Sequence, residues 1–133
     1  MKTTLSCLGA MGLIAFAVTA SAHHSRPAAY LVDQQIVIEG VVTQLFWRNP
    51  HPFLFVEVEQ DDGTVVTWAA EMAPTIAMTK QGYEEDSIEP GERIMVIGSP
   101  GRGGRRLITF DGVYRPADGW VYGRDPRSAG ASQ

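Results

Sequence analysis

The chain has 133 residues, 44% of them hydrophobic and 20% charged, and a formal net charge of −4. That length bounds it to one domain with a single modest core. The acidic balance argues against nucleic acid as a partner, and a lone cysteine, Cys7, excludes a disulfide framework.

The first 22 residues read MKTTLSCLGAMGLIAFAVTASA. Lys2 supplies a positive start, Leu5 to Val18 an apolar stretch, and Ala20-Ser21-Ala22 a small-residue cleavage pattern. Together they predict a secretory signal peptide over residues 1–22 and a periplasmic or secreted protein. The apolar stretch is shorter than the roughly 20 residues that span a bilayer, so removal is expected rather than anchoring. Cleavage takes 22 of the 133 residues and leaves 111, beginning at His23; losing Lys2 moves the charge from −4 to −5. The mature chain then has no cysteine, which excludes a thiol nucleophile, a redox pair and a thiolate metal site.

Residues 23–34 form an N-terminal segment carrying the paired histidines. From residue 35 to 123, turn signals arrive about every ten residues and apolar positions alternate, the pattern of a small all-β domain. In QQIVIEGVVTQLFW, Ile36, Ile38 and Val42 share one face while Leu45 and Trp47 fall on the other parity. That phase shift predicts a bulge near Thr43 and Gln44, with Gly40 easing the bend. FLFVEVEQ puts Leu54, Val56 and Val58 inward, DDG turns the chain, and TVVTWAAE returns with Val66, Trp68 and Ala70 inward. Pro74 and Gly82 bracket a short helix over 74–81, with Ile76 and Met78 as its apolar contacts. Ile94 and Val96 mark a fourth strand, RRLITFDGVYR a fifth with a hairpin at Asp111-Gly112, and residues 124–133 a disordered tail.

The order βββαββ with a bulged first strand matches an all-β fold with one short helix, a small OB-like five-stranded barrel. Such barrels bind ligands over their second and third strands and the flanking loops.

The only histidines are His23, His24 and His51. Cleavage before His23 places a free α-amine beside an imidazole, and the two chelate a metal in one ring. Cleavage one residue earlier leaves Ala22-His23-His24, where amine, amides and a third-position imidazole suit a square-planar ion. Nitrogen donors in that geometry favour Cu(II). His51 lies in NPHP, where Pro50 and Pro52 stiffen the chain around a loop at the expected binding rim. The plainer alternative is a solvated terminal pair and a histidine at a turn tip.

A second candidate is SPGRGGRRL, whose Arg102, Arg105 and Arg106 offer an anion-binding rim without the Gly-Lys-Ser/Thr ending of a phosphate loop. Phe53 and Phe55 point opposite to the core residues of their strand and extend that rim with surfaces for stacking. Ten carboxylates against Lys80 between Glu57 and Glu92, then seven arginines against three aspartates from Arg93 to Arg127, make the chain bipolar. No nucleophile elbow and no metalloprotease helix is present, so a non-enzyme is expected.

AHHS at the mature start, EGVVTQLFWRNPHPFLFVEV, DDGTVVTWAAE and GYEEDSIEPGERIMVIGSPGRGG resemble a family of small exported bacterial proteins, the domain of unknown function 6152. The resemblance runs from about Ala22 to about Arg115, and its most specific features are the paired histidines and Trp47-x-Asn49-Pro50-His51. It implies export and a fold class but no reaction. A weaker similarity points to periplasmic OB-fold binders of small ligands. Two functions are therefore expected to compete: a copper-binding module using His23, His24 and His51, or an OB-like module for an anionic, polymeric or protein partner using the arginine loop and the two phenylalanines.

Overall fold

Three consecutive strands, β1 (Ile36–Phe46), β2 (Phe53–Glu59) and β3 (Val65–Glu71), form an antiparallel meander in the computed structural model, which describes residues 25–130. A one-turn helix, α1 (Arg26–Ala29), precedes them, and α2 (Thr75–Lys80) follows. Four more strands, β4 (Arg93–Gly98), β5 (Leu107–Thr109), β6 (Gly112–Arg115) and β7 (Trp120–Gly123), complete one sheet in the order β5-β3-β2-β1-β4-β6-β7. The β3–β5 pair is parallel and the other ladders are antiparallel, so the sheet is mixed.

The first strand behaves as its sequence predicts. Val42 pairs with Val56 and Gln44 with Phe55, so Thr43 is the extra residue of a bulge. The bulge turns Leu45 and Trp47 back toward the core after the parity change. At Gly40 the strand runs so close to β2 that any Cβ would collide with the Glu57 carbonyl. Asp62 closes the β2–β3 turn: its Oδ1 accepts from Thr64 N–H at 2.9 Å and the Thr64 hydroxyl at 2.6 Å, beside Gly63 at φ +79°. Those two bonds hold the Asp62 carboxyl below the usual carboxylate range.

The all-β class with a short helix between the third and fourth strands stands, and the closed five-stranded barrel does not. The sheet is open and has seven strands. Asp111-Gly112 is not a hairpin turn. β5 lies parallel to β3, and the chain then crosses by Asp111 N–H to Ile97 O, 3.0 Å, so that β6 lands on β4 instead of returning along β5. β5 meets the segment after β4 only through the single bridge Pro100–Ile108 and flanking bonds such as Thr109 N–H to Ser99 O, 3.0 Å. Alternation shows that a segment is a strand but not which strand it pairs with, so the extra hairpin β6–β7 escaped the count.

The core lies on one face of the sheet: Ile38 and Val42 from β1, Leu54 and Val56 from β2, Ala70 from β3, Ile94 and Val96 from β4, Val113 from β6. Met78 of α2, Ile88 and Tyr83 cover it. Trp68 is half-buried at its margin rather than enclosed, and Ile76 is exposed. Residues 124–130, expected as a disordered tail, carry a 3-10 turn over Pro126–Gly130, with Pro126 buried and the Arg127 guanidinium 4.0 Å from the Tyr114 ring centre.

Candidate functional site

The loop between β1 and β2 is tied down at both ends. Asn49 Oδ1 accepts from the backbone N–H of Thr75, 3.2 Å, and from its hydroxyl, 3.0 Å, fastening the loop to the start of α2. Pro52 is buried, and its carbonyl accepts from Met72 N–H at 2.9 Å. The Asn49–Pro50 peptide is cis. The bonds of Asn49 and Pro52 hold His51, in the loop between the first two strands, beside the C-terminal end of β3.

There the imidazole meets two acceptors. His51 Nδ1 lies 3.2 Å from Met72 O and 3.5 Å from Glu71 Oε1. Neither neighbour can donate, so in the neutral ring Nδ1 carries the hydrogen and the Nε2 lone pair is left over. About half of the side chain remains exposed. The other carboxylate oxygen of Glu71 accepts from the Tyr30 hydroxyl. Burial first, and then that bond, push the Tyr30 hydroxyl well above the ordinary tyrosine range.

Tyr30 brings the N-terminal segment onto the site. It is buried to 3% exposure, bridges to Gly101, and is followed by Leu31 N–H bonding to Pro100 O at 2.9 Å. Arg26 pairs with Asp111 at 2.7 Å. The result is a cavity of about 240 Å³ whose lining includes Arg26, Tyr30, His51, Glu71, Ala73 and Asp111.

The arginine loop faces this segment. Arg102 Nε donates to Pro27 O at 2.8 Å and Arg105 Nη2 to Ala29 O at 3.1 Å, so two of the three expected anion-binding cations hold α1 in place. Arg106 is exposed, and its carbonyl accepts from Ala69 N–H at 3.0 Å. Phe53 and Phe55 do project from the outward face, with ring centres 6.4 Å apart and both half-buried. Phe53 is the cross-strand partner of Glu71, so that face leads directly to the cavity.

His23 and His24 lie outside the described residues. Among the described residues no three His, Cys, Asp or Glu side chains are grouped closely enough to hold an ion. Sequence reasoning missed Tyr30, Glu71 and Asp111. Glu71 had one available signal, as the last outward residue of TVVTWAAE; Tyr30 and Asp111 had none, because only folding brings them to His51.

Residues 10–110 match the model of a family of unknown function. The chain belongs to that family, DUF6152. The DUF6152 region contains all three histidines, Tyr30 and Glu71, and it ends at Phe110, before β6 and β7. No curated protein matches the chain. No helix among the described residues is long and apolar enough to cross a membrane.

Proposed function

We propose that this DUF6152 protein is an exported, non-catalytic copper-binding module in which His51 and the paired terminal histidines take one Cu(II) ion. The observation that carries the reading is the His51 ring. Its Nδ1 is committed to Met72 O and Glu71, which leaves Nε2 as a fixed, half-exposed nitrogen donor. Metal-ligating histidines commonly have their second nitrogen hydrogen-bonded in this way.

Chain length supplies the other donors. Arg26 lines the same cavity as His51, and His24 is two residues away, at most about 7 Å of extended chain. Removal of residues 1–22 adds the α-amine of His23. An imidazole, a terminal amine and a second imidazole are the nitrogen donors that Cu(II) prefers. The rival anion-binding reading is weakened because Arg102 and Arg105 are engaged with α1.

The test is a Cu(II) titration of correctly processed protein, with intact mass confirming that it begins at His23 or Ala22. One equivalent is expected to bind, more weakly in His51→Ala and in protein carrying an extra N-terminal residue. Copper held as tightly by His51→Ala as by the wild type would confine the site to a local N-terminal chelate. No binding at all would return the function to an anionic or polymeric ligand at the arginine loop.

A further inference from the structure

We propose that the cavity between the N-terminal segment and the end of β3 binds a small organic cation, a protonated amine on a compact aromatic or aliphatic body. This goes beyond the copper reading and does not rest on it. Met72, Ala73, Pro74 and Phe110 give the cavity an apolar lining, and the rest of its wall is polar. Its volume of about 240 Å³ is below the roughly 300–1,000 Å³ that drug-sized ligands occupy, while an apolar space of roughly 150 Å³ already takes one benzene ring. One ring with one short polar arm is therefore the size of ligand that fits.

Charge selects the arm. With the imidazole neutral, the lining holds two carboxylates, Glu71 and Asp111, against one guanidinium, Arg26, so one negative charge is in surplus. The two carboxylates are not equivalent. Asp111 Oδ1 accepts from Arg26 at 2.7 Å and its Oδ2 from Gln35 Nε2 at 3.4 Å. Glu71 Oε2 accepts from the Tyr30 hydroxyl, but among the described residues no hydrogen bond reaches its Oε1. His51 Nδ1 lies 3.5 Å from that oxygen and bonds instead to Met72 O at 3.2 Å. The Glu71 side chain is only 27% exposed, so water replaces the missing donor incompletely. An ammonium group would supply it as a charge-assisted hydrogen bond. An anion would meet two carboxylates and a guanidinium that is already paired, and a neutral ligand would leave the surplus charge uncompensated.

The test is an NMR titration of the full processed chain, kept metal-free by a chelator, with benzylamine, benzyl alcohol and benzoate as probes. Amide shifts at Met72, Ala73, Thr109 and Phe110 locate the bound ring. Benzylamine is expected to bind there, benzyl alcohol about 10- to 100-fold more weakly for want of the charge-assisted bond, and benzoate not at all. Glu71→Gln removes the surplus charge and should bring benzylamine down to the level of benzyl alcohol. Arg26→Gln, at a side chain 62% exposed, enlarges the surplus and should tighten benzylamine several-fold. Opposite signs at two lining residues distinguish a charge effect from structural damage, which would weaken binding in both. Equal affinity for the three probes, tighter benzoate, no binding of benzylamine, shifts confined to another surface, or a loss in both variants would each overturn the proposal. Because no metal is present, those outcomes leave the copper reading to its own titration, and a failure to bind copper leaves this site standing.

Discussion

Tyr83 is fully buried at the centre of an aromatic cluster. Its ring centre lies 5.7 Å from that of Trp47, 5.7 Å from Phe110, 6.1 Å from Trp120 and 5.1 Å from Tyr122. Yet its hydroxyl has no hydrogen-bond partner among the described residues. A buried polar group without a partner costs about 1–3 kcal/mol of desolvation. Tyr83→Phe removes the oxygen and keeps the ring contacts, so it is expected to be neutral or to stabilise by about 1 kcal/mol. Tyr83→Leu, which loses the edge and stacking contacts, should destabilise. A thermal melt of both variants decides this, and a clear loss in Tyr83→Phe would mean that the hydroxyl is bonded in solution.

At the scale of the element, β1 is where local geometry shapes the whole sheet. It pairs with β2 along one edge and β4 along the other, and it changes parity at Thr43 so that both halves bury their apolar side chains. Gly40 makes the close approach to β2 feasible, since a methyl there would meet Glu57 backbone rather than a movable side chain. Gly40→Ala is therefore expected to cost at least about 2 kcal/mol, beyond what a glycine-to-alanine change in an ordinary strand does. Denaturant midpoints should show it, with Gly63→Ala, at a positive-φ turn with open space around it, as the comparison. A Gly40→Ala midpoint equal to wild type would mean that β1 and β2 separate easily at this point. The helix α1 is an element of another kind: only four residues long, it depends on Arg102, Arg105 and Asp111 rather than on its own turn.

For the molecule as a whole, two buried tyrosines set the behaviour in alkali. Tyr30 and Tyr83 are pushed well above the ordinary tyrosine range, in each case first by burial, and for Tyr30 next by the Glu71 bond. The folded chain keeps two protons that the unfolded chain releases above about pH 10, the usual tyrosine value. Proton release on unfolding means that this contribution is fully present below pH 10 and that stability falls as pH rises beyond it. Absorbance titration should show Tyr30 and Tyr83 ionising only together with unfolding. Reversible ionisation of all four tyrosines near pH 10 in the folded protein would contradict that assignment.

The local features of this protein were legible in its residues because they depend on near neighbours. The strands through residue 71, the Thr43 bulge, the Asp62 turn, a short helix near 75–80 and the place of His51 in the loop between the first two strands all follow from alternation, glycine and proline. What only the tertiary structure decided involves partners distant in sequence. The parallel pairing of β5 with β3, the arrival of β6 and β7 on β4, and the use of Arg102 and Arg105 to hold α1 leave no periodic trace, because periodicity records which face is buried and not against what. The same reason divides the site. His51 could be picked out by its rarity and its prolines, whereas Tyr30 and Glu71 became its neighbours only when the chain folded the N-terminal segment across the end of β3.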